Sequence, residues 1–87
     1  MESKTKNQKL PKWFKGVQYT EGAEVTNPFS KESYYLNEIE LSIYDFIIGC
    51  QMVLDGGFYS DKMIKDFQKG LTWFRVNNPE AYYVLLD

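Results

Sequence analysis

The chain lacks histidine altogether and holds a single cysteine, Cys50, among its 87 residues. Without histidine, a histidine-based metal site and a histidine general base are both excluded, and one cysteine cannot build a disulfide framework. A lone cysteine is typical of a reducing compartment, so we expect a cytoplasmic protein. No apolar run is long enough to span a membrane, and the Lys-rich N-terminus has no apolar segment of the signal-peptide kind.

Motifs of the common enzyme and cofactor classes are also missing, including Gly-rich phosphate loops, nucleophile elbows and dinucleotide fingerprints. Glu38 and Asp45 fall two turns apart on one predicted helix face, where two carboxylates could share a proton or bind a divalent cation. The pattern supplies no third ligand, so a solvated stripe is the favoured interpretation. Cys50 lies among apolar neighbours and is interpreted as a small core residue. We therefore expect no catalytic residue, no metal and no cofactor.

Aromatic residues are abundant at 17% of the chain, which helps so short a sequence to build a core. The hydrophobic fraction of 44% and the charged fraction of 25% are ordinary for one globular domain. Residues 1–15 carry five lysines and one glutamate, whereas the whole chain has a net charge of −2, so the remainder is acidic. We predict a flexible basic arm over residues 1–12 and a single domain over residues 13–87.

Residues 17–36 have the composition of β-strands, with a turn signal at Glu21-Gly22. Asn27-Pro28 should end a strand, because proline cannot donate to a ladder. The pattern predicts a β-hairpin or a three-stranded meander, followed by helices, and therefore an α+β fold. The three candidate strands are Val17–Thr20, Glu24–Thr26 and Ser33–Leu36.

Two amphipathic helices forming an antiparallel helical hairpin are predicted between Asn37 and Asn78, joined by a Gly-Gly turn. Asn37 and Glu40 have the spacing of a capping box, and this first helix should run to about Leu54. It is apolar almost all the way round, so we expect it to be buried in the core. The second helix should begin after Ser60 as N-cap.

The second helix should run from Asp61 to about Val76, with an apolar stripe on one side and a solvated face that includes Asp66. Gly70 lies beside the stripe, which indicates a close helix–helix contact against Phe46 or Ile47.

A short C-terminal element should follow. Pro79 is well placed to start a helix, while the Tyr-Tyr-Val-Leu-Leu run suits a strand equally well. We favour a short helix and keep the strand as the alternative.

Apolar residues near the end of the helical hairpin are not accounted for by either helix stripe. We predict from them a patch that binds a protein partner, by self-association or by docking on a larger protein. Its members are Trp73, Val76, Tyr82, Tyr83 and Leu86.

The alternative function is nucleic-acid binding by the basic arm, whose lysines recur at every third residue and are interleaved with aromatic side chains. The acidic body would repel a polyanion, so a solubilising tail whose Trp13 and Phe14 pack on the core is the favoured interpretation of the arm. The candidate residues for nucleic acid are Lys6, Lys9, Lys12, Trp13 and Lys15.

Asn27-Pro28-Phe29 is a tripeptide that some eukaryotic trafficking domains recognise. Three residues are a weak signal, and an Asx-Pro turn with Phe29 plugging the core is the favoured explanation.

Segments 24–30, 44–49 and 71–82 (EVTNPFS, YDFIIG and LTWFRVNNPEAY) resemble segments of small uncharacterised proteins encoded by tailed bacteriophages, marine ones especially. The resemblance implies a phage origin and a location in the host cytoplasm or the virion. It implies no activity, no cofactor and no site residue.

Overall fold

The fold consists of a two-stranded antiparallel hairpin, two long packed helices and a short C-terminal helix. A computed structural model describes residues 8–14, 16–58 and 60–86. The predicted α+β class, with a hairpin ahead of a helical hairpin, is confirmed. The elements are β1 (Ala23–Thr26), β2 (Ser33–Leu36), α1 (Glu38–Asp55), α2 (Asp61–Asn77) and α3 (Pro79–Ala81), which continues as a π-helical turn over Tyr82–Leu86.

The hairpin pairs β1 with β2 in a register that places Val25 opposite Tyr34. The predicted first strand over Val17–Thr20 is wrong, because those residues belong to no strand. The amide of Tyr19 instead donates to Ser42 Oγ on α1, 2.9 Å away. A helix side chain thus takes the hydrogen bond that a strand partner would have made, and the hairpin turns over residues 27–32 rather than at Glu21-Gly22.

Helix α1 begins and ends where its caps predict. Asn37 Oδ1 accepts from the amide of Glu40 at 2.8 Å, and Glu40 Oε1 accepts from the amide of Asn37 at 3.0 Å, which completes the capping box. Ile43 and Ile47 are fully buried, as expected for a central helix. The other elements do not cover α1 on all sides along its whole length, because Met52 in its last turns is 70% exposed.

Helices α1 and α2 approach closely at Gly70, as predicted. A Cβ built on Gly70 would lie 2.8 Å from Ile47 Cγ1 and 3.9 Å from Phe46 Cδ2, closer than a side chain tolerates in the first case. Asp66, predicted on the solvated face, is buried and accepts from Lys62 Nζ at 2.7 Å. The prediction for Asp66 is therefore wrong. The paired Lys62 ammonium offsets the cost of burying the carboxylate, which lines a pocket together with Phe46 and Cys50 of α1.

The core lies where the helical hairpin, β2 and the C-terminal helix meet. Asn78 caps that terminal helix, accepting from the amide of Ala81 at 3.2 Å, so the helical interpretation of the C-terminus is confirmed. In the described part of the chain no helix is long and apolar enough to cross a bilayer. The buried apolar cluster consists of Phe14, Leu36, Ile43, Ile47, Phe74, Ala81 and Leu85.

The segment of residues 8–14 lies against the body of the domain. Gln8 is buried, donates from Nε2 to Glu40 Oε2 at 2.9 Å and accepts from Asn37 Nδ2 at 2.9 Å. Leu10 and Trp13 pack on the core cluster. Residues 8–12, which fall within the predicted arm, therefore make specific contacts with the domain, and residues 1–7 lie outside the described part.

Candidate functional site

An open groove of about 560 Å³ runs along the exposed side of α2. We call it the tryptophan groove, because Trp73 from α2 and Trp13 from the N-terminal segment both line it, and both rings are half-buried. Residues three and four apart share one face of a helix, so a single helix supplies most of its lining. The lining residues are Trp13, Lys65, Gln68, Lys69, Thr72, Trp73, Val76 and Asn77.

Each indole of the tryptophan groove rests on a phenylalanine ring. The Trp13 and Phe46 ring centroids are 5.7 Å apart in a tilted arrangement, and those of Trp73 and Phe74 are 5.5 Å apart edge to face. Phe74 is fully buried, and Gln8 anchors the segment that carries Trp13. Contacts of this geometry stabilise aromatic pairs, so each indole has a defined packing partner.

The tryptophan groove is cationic although the chain as a whole is acidic. Its lining includes Lys65 and Lys69, and the described residues contribute no carboxylate to it. The neighbouring Lys62 is already paired with Asp66 through a 2.7 Å contact. Within the described part of the chain, neither lysine of the groove is joined to a carboxylate by an ion pair. The groove therefore suits a ligand that carries negative charge.

A second groove, of about 490 Å³, lies where the hairpin loop, α1 and the C-terminal turn meet. We call it the hairpin groove. Its lining is mainly apolar, and among the described residues it includes Asp55 but no lysine or arginine. The lining residues are Asn27, Pro28, Phe29, Tyr44, Ile48, Gln51, Met52, Asp55, Leu85 and Leu86.

Asn27 holds the loop beside the hairpin groove. Its Oδ1 accepts from the amides of Phe29 at 2.8 Å and Ser30 at 3.3 Å, and its Nδ2 donates to the carbonyl of Val84 at 3.0 Å. The predicted Asx turn is present. The prediction that Phe29 plugs the core is wrong, because its side chain is 94% exposed. The turn points the ring outward, since Asn27 itself occupies the contact with the C-terminal turn.

A buried polar cluster centred on Glu40 links the supports of the two grooves. Glu40 is 2% exposed, and its Oε2 accepts from Gln8 Nε2 and Asn78 Nδ2, each at 2.9 Å. Gln8 anchors the segment that carries Trp13, and Asn78 caps the helix that leads to Leu86. These donors replace the water that the carboxylate loses on burial, so the cluster is a structural hub.

The residues predicted to form one partner-binding patch fall in separate places. Trp73 and Val76 line the tryptophan groove, and Leu86 lines the hairpin groove. Tyr82 and Tyr83 line neither; their ring centroids are 6.0 Å apart, and the Arg75 guanidinium lies 5.8 Å from the Tyr82 ring centroid.

Of the residues predicted to contact nucleic acid, Trp13 lines the tryptophan groove. Lys9 and Lys12 are exposed on the segment that precedes it. Lys6 and Lys15 lie outside the described residues.

The candidates for chemistry line neither groove. Cys50 is buried, and burial first and the charge of Asp66 second raise the pKa of its thiol above the ordinary value of 9.0. Asp45 is exposed, Glu38 is half-buried, and Ser42 between them donates from Oγ to the carbonyl of Glu38 at 2.8 Å. Among the described residues, no three Cys, Asp or Glu side chains could hold a metal ion together.

Most residues of the two grooves lie outside the sites predicted from the sequence, including Phe29 and Met52. Lys65 and Lys69 are also among them, although their spacing of four residues, with Trp73 four residues further on, is a detectable helical stripe.

No protein-family model, curated protein or solved structure matches the chain. Its function is therefore inferred from the surface described above.

Proposed function

We propose that the protein is a small, non-enzymatic interaction module that self-associates through the hairpin groove. The observation that carries this proposal is the 94% exposed ring of Phe29, held outward by the Asn27 turn beside an apolar groove. Phe29 does not stand alone on the surface, because it adjoins the apolar lining of the groove, and a contiguous apolar patch with an aromatic anchor is typical of protein interfaces.

The hairpin groove is suited to a second copy of the same chain. A two-fold interface uses one patch on both molecules, so a protruding group must lie beside the hollow that receives it. Phe29 protrudes beside Tyr44, Ile48 and Met52, which line the hollow. Two copies related by a two-fold axis can therefore exchange their Phe29 rings. Docking on a larger protein through the same groove is the alternative outcome.

Sedimentation velocity over a range of about 10 µM to about 1 mM tests self-association, since a small interface of this kind gives micromolar affinity. We expect the weight-average sedimentation coefficient of the wild-type protein to rise with protein concentration. Phe29→Ser should weaken association by roughly 30-fold, equivalent to about 2 kcal/mol, because the ring anchors the interface.

Phe58→Ser is the matched control, because Phe58 is also a highly exposed phenylalanine, at 73%, but does not line the hairpin groove. It should leave association unchanged. A wild-type protein that stays monomeric at every concentration, or equal effects of the two serine variants, would overturn the proposal.

The origin and location are proposed on the resemblance of segments 24–30, 44–49 and 71–82 to tailed-phage proteins. We infer a phage-encoded accessory protein located in the host cytoplasm or the virion. The buried thiol of Cys50 accords with a reducing setting. Mass spectrometry of purified virions and of infected-cell cytosol would distinguish the two locations.

A further inference from the structure

We propose that the tryptophan groove is a binding site for a short stretch of single-stranded nucleic acid. This second site is independent of self-association, since it shares no residue with the hairpin groove. It also differs from the site expected from the sequence, where the basic arm alone would carry the contacts.

The positive charge of the groove predicts a negatively charged ligand. The chain has a net charge of −2, yet Lys65 and Lys69 face this groove, and none of the described residues that line it is a carboxylate. The two residues are one helical turn apart, so their stems start about 6 Å from each other along the axis of α2. Such a pair can contact neighbouring phosphates of one extended strand, and Lys12, exposed next to Trp13 in the chain, adds a third cation.

The two tryptophan rings of the groove indicate which class of polyanion it binds. Trp13 and Trp73 pack against Phe46 and Phe74 and both line the groove, so two indoles are available for stacking. Every nucleic-acid base has a π-face, and aromatic platforms beside a cationic track are the usual construction of sequence-tolerant single-strand sites. An acidic peptide would satisfy the lysines but has no regular supply of planar groups for the indoles. A duplex buries its base faces and would meet only the lysines.

Uncharged polar side chains complete the site. Gln68, between the two lysines, and Thr72, between Lys69 and Trp73, lie exposed on the same face of α2, where they can reach base edges or sugars. Asn77 donates from Nδ2 to the carbonyl of Trp73 at 2.9 Å, which ties the end of the groove to the helix. The few cations predict weak binding with little sequence preference and a shallow salt dependence.

Fluorescence anisotropy of an end-labelled oligothymidylate of about 15 nucleotides provides the test. The full-length protein is titrated at about 50 mM and about 200 mM salt. With two or three phosphate contacts, log K should fall with log salt at a slope of about −1.4 to −2. Intrinsic tryptophan fluorescence should be quenched over the same titration, because stacking involves Trp13 and Trp73.

Lys69→Glu should lower the affinity by at least about 10-fold, since it replaces a phosphate contact with a repulsive charge. Lys31→Glu is the matched control: it changes the net charge equally, and exposed Lys31 lies on the hairpin loop outside the groove. Its affinity should stay within about twofold of wild type. Phe29→Ser should bind the oligonucleotide normally, so failure of self-association and failure of this site can be told apart.

Three results would overturn the site. The first is an unchanged anisotropy at low salt. The second is an equal loss of affinity in Lys69→Glu and Lys31→Glu. The third is binding of a polyglutamate peptide of equal length as tightly as the oligonucleotide, which would assign the groove to an acidic protein partner.

Discussion

The two grooves of this small domain differ in charge and in construction. The tryptophan groove follows one helix, α2, with Trp13 added from the N-terminal segment, and it carries lysines. The hairpin groove collects residues from the hairpin loop, α1 and the C-terminal turn, and its charged residue is Asp55. One core thus supports two surfaces of different chemical character, because each surface is built from different peripheral contacts.

Replacing Glu40 should have the largest effect, because the supports of both grooves meet at its carboxylate. Glu40→Gln replaces the carboxylate, which is a charged acceptor, with an amide. The new NH₂ group would face one of the donors that the carboxylate binds, which belong to Gln8, Asn78 and the backbone of Asn37. We expect the free energy of unfolding to fall by about 2 to 4 kcal/mol in urea titrations.

Glu38→Gln is the control, because Glu38 lies in the first turn of the same helix but is only half-buried. It loses a favourable helix-dipole interaction of about 1 kcal/mol at most. Similar losses in the two variants would show that the buried cluster does not support the grooves.

Gln8→Ala and Asn27→Ala should separate the two grooves. Gln8 anchors the segment of Trp13 through Glu40 and Asn37, whereas Asn27 anchors the loop of Phe29 through Val84. Each change should cost about 1 to 2 kcal/mol in urea titrations. Gln8→Ala should weaken oligonucleotide binding alone, and Asn27→Ala should weaken self-association alone. A loss of both activities in either variant would contradict their independence.

Two glycines test the helix contact on which both grooves depend, since α1 carries Met52 and α2 carries Trp73. Gly70→Ala gains about 1 kcal/mol of helix propensity but forces a Cβ against Ile47, which costs about 1 to 3 kcal/mol. We expect a net destabilisation of about 1 kcal/mol by thermal melting.

Gly49→Ala is the matched control on α1, because its new Cβ would meet nothing within 4 Å. It should stabilise the protein by up to about 1 kcal/mol. A stabilisation by Gly70→Ala of equal size would show that the helices are not in close contact.

Alkaline pH should have the smallest effect, mainly at the hairpin groove. Burial raises the pKa of the Tyr44 hydroxyl above its ordinary 10.0, and burial and Asp66 raise the pKa of Cys50 above 9.0. The folded protein keeps these protons to higher pH than the unfolded chain. Stability is therefore complete below these ordinary values and falls as pH rises through the raised ones.

Melting temperatures at about pH 8, 9.5 and 10.5 check this decline. Tyr44→Phe should reduce the decline, because it removes one of the groups that titrate. An unchanged decline would assign the effect to Cys50 or to Tyr34, whose pKa is raised by burial and by Glu80.

Local signals in the sequence account for the elements that formed as predicted. The capping box of Asn37 and Glu40 and the N-cap Ser60 fix helix starts through contacts within one turn. Gly70 could be assigned to a helix contact because only a close neighbour explains a glycine beside an apolar stripe.

The errors concern residues whose surroundings come from distant parts of the chain. The composition of residues 17–20 predicts a strand, but the Tyr19 amide donates to Ser42 on α1, which is distant in sequence. Phe29 was placed in the core because composition does not indicate that Asn27 would reach Val84 and turn the ring outward. Asp66 has the helical position of a solvated residue, but it pairs with Lys62 and is buried in the folded domain.

The most direct test of two independent grooves is sedimentation velocity of wild type, Phe29→Ser and Lys69→Glu, each with and without labelled oligothymidylate. The account predicts a crossed result. Phe29→Ser should be monomeric and still sediment with the oligonucleotide, while Lys69→Glu should self-associate and leave the oligonucleotide free. If either substitution removed both activities, or if neither activity were present in the wild type, the assignment of separate functions to the two grooves would be contradicted.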